Sequence, residues 1–318
     1  MLIVAWETTA ACNLKCSYCR ALASDAPDYN ELGTKEAKAF IKSIASLQPM
    51  LILSGGEPLL RPDIFQLARY ATSLGLRVSL ASNGTLITPE VVHQIRASGI
   101  SRVSISLDGT TADKHDRNRG IGSFQAAMKG VENLRENVDF QINFTITNKN
   151  ESEVLSIFDL AEAKGAKALH FFFMVKTGRA QEEDLISAEQ QEELLCLIDQ
   201  ERGQRNLEVQ VTCAPQYARI AKSRRVGGCL AGRSFVFISR SGDVFPCGYL
   251  PLLAGNIREQ KFIDIWENSP LFRALRQRDL KGKCSDCSFV EICGGCRARA
   301  YANSGDFLGP DPFCNLVN

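Results

Sequence analysis

The sequence predicts an α/β fold, a partial (β/α)6 barrel with a cysteine-rich extension after it, on three observations. Short apolar or β-branched runs alternate with amphipathic stretches roughly every 25 to 40 residues as far as about residue 180, the rhythm of strands joined by helices in a parallel sheet. The chain holds 12 cysteines, three between positions 12 and 19 and seven between 229 and 314, with only Cys196 and Cys213 elsewhere. Regular periodicity fades beyond about residue 205, where cysteine, glycine and arginine accumulate.

In chain order the expected strands are Leu2–Trp6, Met50–Leu53, Leu76–Ala81, Arg102–Leu107, Phe140–Thr147 and Ala168–Val175. The expected helices between them are Thr34–Leu47, Pro62–Leu74, Pro89–Ser98, Ser123–Asn137 and Glu151–Lys164. Six strands are too few for a closed eight-stranded TIM barrel, so a partial, TIM-like barrel follows, with loops after the strands forming the active face. Gln181–Asp184 is a polar link, and Ser187–Gln200 reads as a further helix with Ser187 as its N-cap. Ser234–Ser239 and Asp243–Phe245, around Ser241-Gly242, read as a hairpin. From Lys281 onward little periodicity remains, and bound metal can fasten a segment so poor in regular structure. The expected division is a barrel over 1–205 and a cluster-binding domain over 206–318.

Composition narrows the function. Lysine and arginine number 37 against 36 acidic residues, a net charge of +1, which gives no basic excess for nucleic acid. No apolar run reaches the ~18 residues of a membrane span. The opening Met-Leu-Ile-Val-Ala-Trp-Glu has no basic leader. A cytoplasmic protein is the expectation, and in a reducing compartment clustered cysteines read as metal ligands or redox groups rather than disulfides.

Cys12-Asn-Leu-Lys-Cys16-Ser-Tyr-Cys19 follows the first strand directly. Three thiolates on one tight loop can hold three irons of a cubane cluster and leave the fourth open to a small molecule. A zinc knuckle short of one ligand is the bland alternative. Ser54-Gly55-Gly56-Glu57-Pro58 follows the second strand, where two glycines permit close backbone approach and Glu57 can meet an amino group. Ser82-Asn83-Gly84 follows the third strand, and Ser104-Ile-Ser106-Leu-Asp108-Gly109 ends the fourth. His115-Asp116-Arg117-Asn118-Arg119-Gly120 lies beyond it. Asn83, Asp108 and Arg119 also fit plain turn chemistry on a solvated loop.

These motifs resemble the radical SAM superfamily: the C-x3-C-x2-C spacing, Tyr18 before the third cysteine, the GGEP stretch and the HDxxRG stretch. The resemblance implies a [4Fe–4S] cluster on Cys12, Cys16 and Cys19 that binds S-adenosylmethionine. It implies cofactor contacts from Tyr18, Gly55, Gly56, Glu57, Asn83 and Ser106, with Arg119 pairing the cofactor's carboxylate. Cys229-x12-Gly242-x4-Cys247, then Cys284-x2-Cys287-x5-Cys293-x2-Cys296 and Cys314, resembles the SPASM extension. That pattern implies one auxiliary cluster on Cys284, Cys287, Cys293 and Cys314. It implies part of another on Cys229, Cys247 and Cys296, for which Cys213 is the nearby fourth candidate. The last close pair departs from the pattern, with two intervening residues where three are usual, and two structural zinc sites are the alternative.

Phrases such as Val175-Lys-Thr-Gly-Arg179, Thr212-Cys-Ala-Pro215 and Pro246-Cys-Gly-Tyr-Leu250 are similar to the tetrapyrrole branch of the SPASM enzymes. That branch includes the heme synthase of the siroheme-dependent pathway, the closest likeness, and enzymes that trim side chains on the way to heme or heme d1. It implies oxidative decarboxylation of iron-coproporphyrin III propionates to vinyl groups through a 5′-deoxyadenosyl radical. It also implies a tetrapyrrole substrate and a low-potential reductant such as ferredoxin or flavodoxin. Substrate candidates are Arg20, Lys176, Arg179 and Arg233 for carboxylates, with His170 as the best-placed histidine. Phe171-Phe172-Phe173 reads as core on both sides of a buried strand. The competing readings are a ribosomal-peptide maturase, for which no peptide-recognition domain precedes Cys12, and a non-catalytic iron–sulfur carrier. The stretch between Cys213 and Cys229 is short for the branch.

Overall fold

The computed structural model describes residues 1–221 and 227–316; residues 222–226, inside the short stretch between Cys213 and Cys229, lie outside the described residues. The six expected strands are present as β1 (Ile3–Glu7), β2 (Met50–Ser54), β3 (Arg77–Ser82), β4 (Arg102–Ser106), β5 (Phe140–Ile146) and β6 (Ala168–Phe173). They lie side by side in chain order and pair in parallel. The intervening helices are α1 (Thr34–Ile44), α2 (Ile64–Ser73), α3 (Pro89–Ala97), α4 (Ala112–Arg119), α5 (Ser123–Leu134) and α6 (Val154–Lys164).

The sheet extends past the six strands at both edges. β7 (Glu208–Thr212) pairs in parallel with β6, and β8 (Phe235–Ile238) pairs in parallel with β1. β8 turns back antiparallel into β9 (Asp243–Phe245), the expected hairpin, and β10 (Gly255–Asn256) completes a ten-stranded sheet. Residues after 205 therefore continue the parallel sheet as well as carrying cysteines. α7 (Ala188–Arg202) starts at Ser187, whose hydroxyl accepts the amide of Gln190 as the capping pattern predicts. The remaining helices are α8 (Tyr217–Ile220), α9 (Phe262–Asn268), α10 (Pro270–Gln277) and α11 (Arg297–Ser304). Among the described residues no helix is long and apolar enough to cross a membrane.

Side-chain alternation along the strands explains the shape. Val4, Trp6, Leu51, Leu53, Val78, Leu80, Val103, Ile105, Ile142, Phe144, Leu169 and Phe171 are buried beneath the helices. Trp6 meets Phe40 of α1 edge-on, and Phe171 packs on Phe144 and on Phe158 of α6. The alternate residues face the lumen and are small or polar: Ser79, Ser104, Ser106, Gln141, Asn143, Thr145 and His170. Phe172 shares that inner face and is half-buried, while Phe171 and Phe173 are buried on the outer one, so the triplet divides between core and lumen. Arg102 on β4 reaches Glu208 on β7 at 2.8 Å, spanning the strands between them at the N-terminal end of the lumen.

α4 is absent from the helices expected from sequence. Its Ala-Asp-Lys-His-Asp-Arg-Asn-Arg has no apolar stripe, and it buries polar side chains instead: His115, Asn118 and Arg119.

Candidate active site

The cysteine triplet lies on the loop leaving β1, at the C-terminal end of the parallel strands. The loop's root is stitched to the GGEP segment as a short continuation of the β1–β2 ladder. Thr8 donates to Ser54 O, Gly56 to Thr9 O and Glu57 to Ala11 O, at 2.7 to 2.8 Å. A Cβ at Gly56 would stand 2.3 Å from Ala11 O, and one at Gly55 would stand 2.8 Å from Thr9 O. The glycines are thus required by the approach of this chain's own backbone.

Glu57 is fully buried, and its carboxylate accepts Ser82 Oγ at 2.9 Å, the Asn83 amide at 2.8 Å and the Leu59 amide at 3.2 Å. Burial pushes its pKa up to about 7 against the lowering effect of those donors. Asn83 then reaches the cluster loop, with Nδ2 donating to Asn13 Oδ1 at 2.9 Å and lying 3.9 Å from Cys12 Sγ. Ser106 ends β4 on the lumen face, level with Asn143 and, through it, His170.

Tyr18, Asp108 and Arg119 form one buried group. Arg119 Nε lies 2.6 Å from Asp108 Oδ2, its Nη2 donates to the Tyr18 hydroxyl at 2.7 Å, and that hydroxyl donates to Asp108. Asp108 is fully buried and also accepts the Thr145 amide at 3.2 Å. Arg119, expected to meet a cofactor carboxylate, thus already holds a carboxylate of its own chain. His115 Nδ1 accepts the Asp108 amide at 3.1 Å, and burial, reinforced by the Arg119 cation, pulls its pKa down to about 4.

Two substrate candidates brace the cluster loop. Arg179 donates through Nε to Cys16 O at 2.9 Å, through Nη1 to Ala23 O at 3.1 Å and through its amide to Cys19 O at 3.1 Å. Its Nη2 is buried and has no partner within the described residues. Gly178 precedes it at φ 66, and a Cβ there would stand 2.3 Å from Cys19 O. Arg20 pairs with Glu7 at 3.1 Å, donates to Gly248 O at 3.4 Å and stacks 4.3 Å over Phe237. Lys176 is exposed and pairs with Glu182, and Arg233 is exposed. His170 faces the lumen. Gln141 Nε2 donates to its Nδ1 at 3.0 Å and also to Asn143 Oδ1 at 2.9 Å, which leaves the ring proton of His170 on Nε2. Burial, with Arg102 nearby, pulls its pKa down to about 4.

None of the 12 cysteines is paired in a disulfide. Their electrostatic neighbours divide those of the C-terminal half into two sets. Cys213 feels Cys296, Cys247 and Cys229, while Cys293 feels Cys314 and Cys284. Cys284, Cys287, Cys293 and Cys314 line one cavity, together with Gln216, Lys283 and Asp311. Burial pushes Cys12 up to about 11, Cys296 to about 11, and Cys247 and Cys293 to about 12. Thiols so reluctant to ionise are held as thiolates when metal compensates their charge, so the donor sets fit iron–sulfur clusters in number and chemistry. Among the described residues no three His, Cys, Asp or Glu side chains converge on a single ion.

A buried ion pair joins the two sets. Arg299 Nε lies 2.9 Å from Asp311 Oδ1, and Arg299 Nη2 donates to Cys213 O at 2.6 Å. Asp311 Oδ2 accepts the Cys296 amide at 2.7 Å, and its backbone carbonyl accepts the Cys314 amide at 3.2 Å. Cys213 itself sits at φ 63, a left-handed conformation uncommon for a residue with a Cβ. Neither Arg299 nor Asp311 was a sequence candidate; proximity to cysteine motifs was their only signal.

The family models that match are the radical SAM superfamily, over residues 6–161, and an iron–sulfur cluster-binding domain of the SPASM type, over residues 229–288. The chain is 47% identical over 98% of its length to an AdoMet-dependent heme synthase of Methanosarcina barkeri, covering 95% of that protein. It is 34% identical over 98% of its length to the mycofactocin maturase of Mycobacterium ulcerans, covering 87% of it. Among solved structures, SuiB of Streptococcus suis bound to S-adenosylmethionine superposes with a TM-score of 0.83, at 20% identity, over 99% of this chain and 77% of that one. At that identity the likeness concerns the fold.

Proposed function

The chain belongs to the radical SAM superfamily and carries its SPASM-type iron–sulfur extension, and from that premise we propose that it decarboxylates the propionates of iron-coproporphyrin III to vinyl groups, forming heme. The observation that carries this reading is the near-full-length likeness to an AdoMet-dependent heme synthase; likeness to an Fe-coproporphyrin III synthase at 31% identity adds to it. Cys12, Cys16 and Cys19 would hold the SAM-binding cluster, Cys213, Cys229, Cys247 and Cys296 one auxiliary cluster, and Cys284, Cys287, Cys293 and Cys314 another. Bound there, these groups supply a 5′-deoxyadenosyl radical and one-electron redox capacity.

The chain's own residues hold and orient. Glu57 and Arg179 fix the cluster loop, through Asn83 and through the Cys16 and Cys19 carbonyls respectively. The Tyr18–Asp108–Arg119 group sets the position of the aromatic residue between Cys16 and Cys19. Ser106 and Asn143 offer the lumen small polar groups, and His170 offers a neutral Nε2–H donor. With Nδ1 occupied by Gln141, that ring is arranged to donate a hydrogen bond rather than to ligate a porphyrin iron. Phe172 supplies an apolar wall on the same face. Lys176 and Arg233 are the exposed cations for substrate carboxylates. The barrel division at residue 205 and a ferredoxin or flavodoxin donor belong to the same reading.

The mycofactocin maturase likeness favours a second reading, a peptide substrate in the same site. Anaerobic turnover of the reconstituted enzyme with SAM, dithionite and iron-coproporphyrin III separates the two. Formation of 5′-deoxyadenosine together with heme, by mass spectrometry, is expected. 5′-Deoxyadenosine without any vinyl product would defeat the porphyrin reading, and its complete absence would defeat the radical reading.

A further inference from the structure

One cation of the extension, Arg278, has a guanidinium nitrogen that no interaction within the described chain accounts for. Arg278 follows α10 at φ 54, in the left-handed region, which is disfavoured for a residue with a Cβ. Its amide caps the helix by donating to Ala274 O at 3.2 Å. Its guanidinium packs against Gly294, where a Cβ would stand 3.1 Å from both Cζ and Nη2. Nη1 donates to Val290 O and to Glu291 O. Nη2 is buried and has no partner among the described residues.

The surroundings of that unpartnered nitrogen are the seam between the two auxiliary thiol sets. Gly294 directly follows Cys293, of the second set. Cys229, of the first set, donates its amide to Cys293 O at 3.1 Å, and a Cβ on the preceding Gly228 would stand 2.1 Å from the same oxygen. Both thiols bear electrostatically on Arg278, as do Arg233 and Glu291 at its flank. A guanidinium stays protonated even when burial disfavours its charge. A strained backbone, a glycine that makes room and a charged donor whose buried Nη2 is left open therefore coincide where the backbones of one cysteine from each set meet.

We propose that Arg278 raises the reduction potentials of both auxiliary clusters, as a positioning residue whose open N–H and positive charge favour their reduced forms. Reduction adds negative charge to a cluster, and a cation held nearby stabilises that state. Acting from the seam, one side chain biases both clusters in the same direction. The proposal rests on the two ligand sets given under the proposed function.

The test is a redox titration of reconstituted full-length enzyme followed by electron paramagnetic resonance, with iron counted in each sample. Wild type, R278Q and R278K are compared. R278Q is expected to shift both auxiliary potentials downward and leave the SAM-binding cluster where it was. R278K, which keeps the charge but loses the planar fork, is expected to give a smaller downward shift. Should R278Q fail to retain iron, R278K alone decides, by that same small shift. Auxiliary potentials equal to wild type in an iron-replete variant, or a shift shared equally by the SAM-binding cluster, would overturn the proposal. Wild-type protein whose iron and spectra account for no auxiliary cluster would instead sink the ligand sets, an outcome distinct from unmoved potentials.

Discussion

Glu57→Gln tests how tightly the carboxylate at the root of the cluster loop is buried. The side chain has no exposed surface, and its pKa is pushed from an ordinary 4.5 up to about 7. At about 1.4 kcal/mol per tenfold change in proton affinity, that difference corresponds to about 3 kcal/mol. The sign follows from the direction. The folded state binds this proton more tightly than the unfolded chain, so the stabilisation is fully present below pH 4.5 and is lost as pH rises through 7. His115 and His170, both pulled down to about 4, act oppositely: their contribution is present above pH 6.5 and lost as pH falls towards 4. A raw stability profile would mix the three, so the assay must isolate the carboxyl. Infrared difference spectra between wild type and E57Q, recorded across pH, do so. A protonated-carboxyl band in wild type alone, disappearing with a midpoint near pH 7, is expected. A band already gone by pH 5 would show that the three donors outweigh burial, and would refute the reasoning.

Asp108→Asn leaves Arg119 a buried cation without its counter-ion, and should destabilise the protein by about 3–5 kcal/mol, read as a lowered thermal midpoint; an unchanged midpoint would mean that the pair is dispensable. Gly56→Ala forces a Cβ to within 2.3 Å of Ala11 O and should cost bound iron at the SAM-binding cluster, whereas Gly33→Ala, where the Cβ meets only Glu36 Oε2 at 3.6 Å, should retain it. Cys213→Ser should lower the iron content of reconstituted protein by up to one cluster, while Cys196→Ser, on the exposed face of α7, should leave it unchanged; equal iron in the two variants would remove Cys213 from its set.

Much of the barrel was legible because strands and helices advertise themselves by period. The six expected strands and the Ser187 cap lie within a residue or two of their expected positions. β7 escaped because Glu-Val-Gln-Val-Thr is short and its alternate residues are polar, as befits an edge strand with one wet face. α4 escaped because its buried face is built of His115, Asn118 and Arg119, which carry no hydrophobic period. The cysteines stood out as candidate ligands from their spacing. Cys213 was the nearby fourth candidate for the set of Cys229, Cys247 and Cys296, and β7 delivers it beside them from outside the motif. Arg20 and Arg179 were candidates for substrate carboxylates because they lie near motif cysteines, but a cation's partner is a matter of three-dimensional contact. Both turn inward to brace the cluster loop. Asp108 read as turn chemistry because nothing in a sequence marks which aspartate an arginine eleven residues later will find.

The parallel pairing of β1 with β8 has a consequence for how the protein is made. Ile3 finds its partner in Phe235, so from the moment β1 leaves the ribosome one of its edges stays bare until about 230 further residues have followed. At 5–20 residues per second that interval is roughly 10–50 s. During it, the strand that leads into Cys12, Cys16 and Cys19 has unpaired N–H and C=O groups, a template for aggregation, and the long separation slows the contact that ends the exposure. Cluster assembly factors would therefore meet a nascent chain whose cysteine loop is complete long before its supporting strand arrives. Loading that loop late, after β8 has docked, would spare the cell an iron-bearing intermediate with an open sheet edge.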